Sequence, residues 1–366
     1  MNTPRPVHVA LLGAANSIHL QRWAIALQQS GRQVSVISQQ AHLALPLPAQ
    51  VALHPLPLRG AAGYLLNALA LRAVLRRLQP DLLHAHYASG YGTLAMLARW
   101  RPTLLSVWGS DVYEFPASGA LQAWLLRRNL GAADALASTS VAMAEQTRRV
   151  MGRPLPITVT PFGVDLQHFR PGPQRAPGLP LTLGTVKTLA TTYGIDLLLE
   201  AFAGLRQRLP TLACRLLIVG DGPQRADLQS LAIRLGIADA VHFAGPVPHR
   251  DVPGFLHQLD VYVAPSRQES FGVAVVEAMA CGLPVLVSDA GGLPEVVQQG
   301  LSGLVVRAGD VAALTDGLQR LVVDADLRAR LAAAARARAE SAYGWPMCIR
   351  RMLQCQDAAI AAARSR

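Results

Sequence analysis

The sequence predicts an α/β protein of two doubly wound domains that face each other across a cleft. Three observations lead there. The chain has 366 residues, 51% of them hydrophobic, which is long for one domain and apolar enough for two cores. Short apolar runs alternate with helix-length stretches, the pattern of parallel strands joined by right-handed crossovers. Arg170–Pro180 packs four prolines and two glycines into eleven residues, which neither a helix nor a central strand tolerates.

In the first half, Val7–Leu12, Gln33–Ile37, Asp81–His84 and Leu104–Val107 read as strands. Ser17–Ser30, Leu65–Leu78 and Leu121–Leu130 read as helices. In the second half, strands fall at Leu181–Val186, Cys214–Val219, Val241–Phe243, Val261–Ala264, Pro284–Ser288 and Gly303–Val306. Helices are expected at Gly194–Leu209, at about Arg225–Leu235 and near Val273–Cys281, with more closing the chain. The expected division is an N-terminal domain over 1–168, a linker over 169–180 and a C-terminal domain over 181–345. A last helix, about 346–366, is expected to return to the first domain. In doubly wound sheets ligands bind beyond the carboxyl ends of the strands, so the loops there hold the chemistry.

The net charge is +11, and Lys187 is the only lysine among 34 basic residues. Residues 1–165 hold 14 basic and 6 acidic side chains, +8, against +3 in the remainder. An excess of this kind fits an anionic partner, phosphate groups or a membrane surface, and equally a solvated arginine-rich surface. Cys214, Cys281, Cys348 and Cys355 match no metal spacing and read as reduced thiols of a cytoplasmic protein. No signal peptide opens the sequence, and no run of about 18 apolar residues is long enough to span a bilayer.

The densest chemistry lies in Pro265-Ser-Arg-Gln-Glu-Ser-Phe-Gly-Val-Ala-Val-Val-Glu-Ala-Met-Ala-Cys-Gly-Leu-Pro284. Glu269 falls in the turn before a helix and Glu277 eight residues on, about 12 Å away at helical rise. Two carboxylates so spaced grip opposite ends of an elongated ligand. The helix start at Ser270, Phe271 and Gly272 offers free N–H groups and a positive dipole end to a diphosphate between them. Glu277 sits in an apolar helix, where an unpaired carboxylate is costly.

With these residues the sequence resembles the GT-B glycosyltransferases, specifically the retaining family 4, over nearly the whole chain. Glu269 and Glu277 match that family's E-x7-E signature. Pro161-Phe-Gly-Val-Asp165, Val219-Gly-Asp-Gly-Pro223, Val241-His-Phe-Ala-Gly245 and Gly291-Gly-Leu-Pro-Glu295 match further pieces in order. The resemblance implies a nucleotide-sugar donor, with a UDP, GDP or other nucleoside diphosphate, held by the second domain. It assigns the donor sugar to Glu269 and the ribose hydroxyls to Glu277. Gly220, Gly245 and the Gly13 turn of the first domain border the donor. Relatives carry an arginine and a lysine for the diphosphate. Here Lys187 stands alone after the strand, with Thr192 and Tyr193 in the second basic region, and Arg267 is taken as a second phosphate contact.

The acceptor is expected on the first domain, at Asn16, His19 and Trp108. His19 either faces the cleft or covers a helix start. His84 and His86 share one strand face by period two. His86 lies nearer the carboxyl end and is the active-site candidate, while His84 reads as a core histidine. Where relatives have a histidine before a glycine, this chain has Trp108, suited to stacking on a sugar. Asp111 is expected to orient a hydroxyl.

The implied reaction uses the donor's own leaving phosphate as base, Lys187 and the helix start stabilising the departing charge, and domain closure excluding water. No Asp-x-Asp metal motif stands out, Asp324-Ala-Asp326 lying far along the chain from Lys187 and Glu269, so neither metal nor cofactor is expected. Expected partners are a glycan or lipid-linked acceptor and an anionic membrane touched peripherally at the inner face of the plasma membrane, with no nucleic acid. Bacterial polysaccharide, lipopolysaccharide or glycolipid synthesis is the setting this implies. The alternatives are a GT-B epimerase or phosphorylase, or a non-catalytic binder of sugar nucleotides.

Overall fold

The computed structural model describes residues 5–39, 42, 47, 50–173 and 178–365. The chain divides into two compact units, residues 1–162 with 348–366, and residues 163–347. The boundary thus falls at Phe162–Gly163, ahead of the proline-rich stretch, whose described residues belong to the second unit.

The first unit holds a seven-stranded parallel sheet: β1 (His8–Leu12), β2 (Gln33–Gln39), β3 (Ala52–Leu56), β4 (Leu82–His86), β5 (Thr103–Val107), β6 (Ala135–Ser138) and β7 (Thr158–Val159). Their order is β3-β2-β1-β4-β5-β6-β7. The order reverses between β1 and β4, so the loops leaving those strands diverge and open a crevice. Every residue of β1, β4 and β5 is buried, as in a sheet covered on both faces.

Several features here depart from expectation: β3, β6, β7 and the helices Gly90–Ala98 and Val141–Met151 were not expected. The helix expected over Leu65–Leu78 is two helices, Gly60–Leu66 and Ala68–Leu78. The break is Asn67, whose buried amide accepts from Leu58 N at 3.1 Å and donates to Leu58 O at 2.9 Å. Also, β3 carries Pro55, which hides its strand character; at the sheet edge a missing N–H costs nothing.

The second unit repeats the plan with β8 (Leu181–Val186), β9 (Cys214–Val219), β10 (Val241–Gly245), β11 (Val261–Ala264), β12 (Val285–Ser288) and β13 (Leu304–Val306). The order is β10-β9-β8-β11-β12-β13, all parallel, reversing between β8 and β11. Its core joins Leu183, Leu216, Ile218, Val261, Val263 and Leu286 to the helix Ile195–Arg208 on one side. The final helix, Trp345–Arg364, starts in the second unit and is counted with the first from Cys348. There Gln356 Nε2 meets His84 Nδ1 at 3.2 Å, and Asp357 pairs with Arg32 at 2.7 Å. Cys281, Cys348 and Cys355 are buried free thiols, and burial pushes each of them up, Cys281 and Cys348 to about 12.

Asn67→Ala removes both bonds to Leu58 and leaves its backbone groups unmet, a loss of about 1–3 kcal/mol. The urea midpoint is expected to fall accordingly; an unchanged midpoint contradicts the role given to Asn67.

Candidate active site

Lys187 follows β8 and Glu269 follows β11, so the reversal of strand order delivers both to one point. Lys187 Nζ meets Glu269 Oε2 at 2.5 Å and lies 4.4 Å from the Tyr193 ring centre on its other side. Burial works against the charged ammonium, but the Glu269 carboxylate outweighs it and holds Lys187 well above the ordinary range. Lys187 therefore stays charged at any physiological pH.

Glycine makes this convergence possible. Gly220, at φ 133°, would place a Cβ 1.9 Å from the Lys187 carbonyl oxygen, and Gly291, at φ 52°, one 1.9 Å from the Glu269 carbonyl oxygen. Gly220 N donates to Gly245 O at 2.9 Å, tying the ends of β9 and β10 together. Arg225 is the residue that sequence reasoning missed beside them: its guanidinium stands 3.3 Å from where a Gly245 Cβ would be, half exposed, with Asp221 at 3.5 Å. Its signal was the basic residue two positions past Gly220-Asp-Gly-Pro223.

The helix after Glu269 starts at Val273, with Gly272 at φ 100° ahead of it. Helical rise therefore covers only part of the path from Glu269 to Glu277, and the 12 Å expected from an unbroken helix does not describe it. Phe271 is buried edge-on to Tyr343, ring centres 5.6 Å apart, and Ser270 is half-buried. Glu277 is buried, 5% exposed, and its Oε1 meets His249 Nε2 at 2.7 Å. His249, edge-on to Phe169 at 5.3 Å, was also missed, since 28 residues separate it from the carboxylate it holds. Arg267 forks onto both oxygens of Asp196 at 2.7 and 2.6 Å and reaches Thr191 O at 3.0 Å. Its charge is thereby matched by Asp196 and it braces the loop.

In the first unit, the candidates gather around an aromatic cluster. His19 stacks on Phe162 at 4.1 Å, and Trp108 stands 5.6 Å from Phe162, 5.9 Å from His19 and 5.0 Å from His86. Asn16 is exposed, its N–H bound to His42 O at 2.9 Å, and Gly13 packs where a Cβ would be 3.4 Å from His86 Cβ. Asp111 is fully buried and accepts from the backbone of Ala88 at 2.7 Å, Gly109 at 2.7 Å and Trp108 at 3.1 Å. Burial raises its carboxyl despite those donors. Both oxygens are committed to tying the loop after β4 to the loop after β5, which makes Asp111 a positioning residue for Trp108.

His84 bonds Ser106 Oγ at 2.8 Å, whereas neither ring nitrogen of His86 has a hydrogen-bond partner among the described residues. Burial lowers His84 to about 3 and His86 well below its ordinary value, with His84 adding to the effect. Both are neutral at physiological pH. Among the described residues no three His, Cys, Asp or Glu side chains gather as a metal site would require.

Two parallel sheets, each reversing its strand order, define a doubly wound α/β protein of two units. The chain belongs to the group 1 glycosyl transferases. That family's model, glycosyl transferases group 1, matches residues 171–338, and the model for glycosyl transferase 4-like proteins matches 8–140. A D-inositol 3-phosphate glycosyltransferase of Frankia alni is 33% identical over 312 residues, 77% of this chain and 75% of that one. The protein of the same name from Streptomyces scabiei is 34% identical over 296 residues, 72% of this chain and 65% of that one. Among solved structures, the sucrose-phosphate synthase of Thermosynechococcus elongatus superposes with a TM-score of 0.85 at 22% identity, covering 97% of this chain and 100% of that one. The Anabaena protein HepE, solved with UDP and glucose, gives 0.78 at 19%, covering 96% and 100%. The two-unit α/β fold is thus that of GT-B glycosyltransferases.

The neutral histidines carry a pH signature. Unfolded histidines bind protons below about 6.5, whereas folded His84 does so only near pH 3. The unfolded chain therefore binds more protons between those values, and stability must fall as pH drops from about 6.5. For His84 alone the loss approaches the order of 4 kcal/mol at the acid end. Denaturant midpoints from pH 7 to 4 are expected to fall less steeply in His84→Asn than in wild type; equal slopes contradict the assignment.

Proposed function

We propose that this chain transfers a glycosyl group from a nucleoside-diphosphate sugar to a hydroxyl acceptor, with retention of configuration and without a resident metal or cofactor. The observation that carries the reading is the Lys187–Glu269 pair at the β8/β11 reversal. Glu277, held by His249, accepts from the ribose hydroxyls. The diphosphate takes the N–H groups at Ser270, Phe271 and Gly272 and replaces Glu269 beside Lys187. Glu269, so released, accepts from the donor sugar. Gly220 and Gly245 leave room for the nucleotide, and Arg267 supports the loop that carries these groups.

In the proposed step, the acceptor oxygen bonds to the anomeric carbon on the face from which the diphosphate departs. The bond from that carbon to the β-phosphate oxygen breaks, and the acceptor proton passes to a phosphate oxygen. Lys187 and the helix start balance the charge released. Asn16, His19 and Trp108 hold the acceptor near the Gly13 turn, with Asp111 and His86 behind Trp108. The acceptor is a glycan or lipid-linked hydroxyl in envelope polysaccharide or glycolipid synthesis. A phosphorylated cyclitol is the second reading, favoured by the relatives named D-inositol 3-phosphate glycosyltransferase.

The proposed setting is the cytoplasmic face of an anionic membrane. Arg72, Arg127 and Arg148 donate to backbone carbonyls, so they serve the fold first. Leu65, Leu66 and Leu69, 54–73% exposed, and Leu121 and Trp124, 69% and 54% exposed, supply apolar contact beside Arg76, Arg77 and Arg128. Each such arginine adds about 1 kcal/mol of attraction, so attachment is weak and salt-sensitive. No helix among the described residues is long and apolar enough to cross a membrane. Co-sedimentation with phosphatidylglycerol vesicles at low salt, lost near ~0.5 M salt by screening, is the expected result. No sedimentation at any salt removes the membrane from the proposal.

Glu277→Ala is expected to weaken UDP or GDP binding by about tenfold or more, the value of a charge-assisted hydrogen bond. Glu269→Gln is expected to spare free-nucleotide affinity and cut turnover. Calorimetry beside a transfer assay separates them, and equal losses of affinity and rate in Glu269→Gln mean that the roles are misassigned.

Turnover in excess EDTA is expected to match the untreated rate. Abolition by EDTA with rescue by Mg²⁺ or Mn²⁺ overturns the metal-independent reading.

A further inference from the structure

The first unit holds a cavity of about 690 Å³ at the opening end of β5, lined by Thr103 and Leu105 of that strand. The candidate acceptor residues Trp108 and Asp111 follow the other end of β5, about 13 Å along at strand rise. Five arginines line the cavity, and no acidic side chain does. Such a volume is that of a small-molecule site.

The charge there exceeds what the fold needs. Three helices, Gly90–Ala98, Ala120–Ala132 and Val141–Met151, end at the cavity, and each C-terminus contributes about half a negative charge. Arg127 answers one of them through Val150 O at 2.8 Å, and Arg101 is neutralised by Asp134. Arg99 and Arg153 have no carboxylate partner among the described residues, and Arg128 lies over the Trp124 ring at 5.8 Å. The surplus is about two positive charges around one concavity. Two lining residues also carry unmet polar atoms. Trp100 Nε1, a donor, and Asn129 Oδ1, an acceptor, are buried without a hydrogen bond among the described residues. Asn129 is 1% exposed, and its Nδ2 is bound to Ala88 O, Ser89 O and Thr93 Oγ1, which fixes its orientation.

We propose that this cavity binds a small phosphorylated molecule at a site separate from the transferase centre. Its phosphate pairs with Arg99 and Arg153, the fork geometry of guanidinium suiting phosphate oxygens. A cavity of about 690 Å³ takes in a whole small phosphate ester, whereas a lipid headgroup stays tied to its bilayer surface.

The probe is inorganic pyrophosphate, titrated calorimetrically into the full chain. Binding is expected to persist in Lys187→Met, which disables the diphosphate contact of the transferase centre, and to weaken by about tenfold in Arg99→Ser/Arg153→Ser. If the double variant does not fold, Arg153→Gln, an exposed position, carries the same test with a smaller loss. Pyrophosphate affinity that follows Lys187 and ignores both arginines overturns the proposal. So does a result in which the arginine substitutions change only binding to phosphatidylglycerol vesicles.

Discussion

The contact on which the second unit's chemistry depends is the ion pair of Lys187 with Glu269. Eighty-two residues separate them, and what brings them together is the backbone. β8 and β11 are neighbours only because the strand order reverses there. The ends of β9 and β12 then close in through glycines that accept contact with the Lys187 and Glu269 carbonyls. Taking two charges out of water costs several kcal/mol per ion, and their attraction offsets this without a clear surplus. Such a pair is poor as a stabilising device. In the proposed function it is a pair of groups held ready, each with a better partner to come: an anionic diphosphate for the lysine and sugar hydroxyls for the glutamate.

The same logic separates Glu277 from Glu269. Glu277 lies inside a buried helix and has a partner of its own in His249, so its orientation does not depend on Lys187. The first unit uses a carboxylate differently. Asp111 faces three backbone donors and fixes the loops on which Trp108 rides. Burial keeps His84 and His86 neutral, and the His86 ring, without a hydrogen-bond partner, is held by contact with His84 and Trp108. An orphaned buried imidazole costs about 1–3 kcal/mol, which marks His86 as a place where the fold carries strain near its candidate site.

The alternation of apolar runs with helices was enough to read the second sheet whole and β1, β2, β4 and β5 of the first, because fully buried parallel strands are continuous apolar stretches, whereas β6 and β7 are too short and too mixed to show one. Glu277 was legible because an apolar helix containing a carboxylate needs a reason, and Glu269 because it stands in the turn after a strand, eight residues before it. What escaped were elements whose sequence carries a competing signal. β3 hides behind Pro55, and the helix Gly90–Ala98 behind two glycines. Asn67 splits a continuous helical period by a bond to Leu58 that no local pattern announces. His249 and Arg225 entered the site through tertiary contacts. Arg267, read as a phosphate contact from its place in the loop, is matched to Asp196, 71 residues away, and only the folded chain reveals that.

Lys187 is the only lysine, so a chain grown with ¹³Cε-labelled lysine gives one side-chain signal from the centre of the proposed site. Adding UDP or GDP to that protein is the direct measurement. The account predicts that the signal moves as the diphosphate displaces Glu269. It also predicts that in Glu269→Gln the free-state signal already differs from wild type. A Lys187 signal unmoved by saturating nucleotide would show that the diphosphate does not meet Lys187, and would contradict the account at its centre.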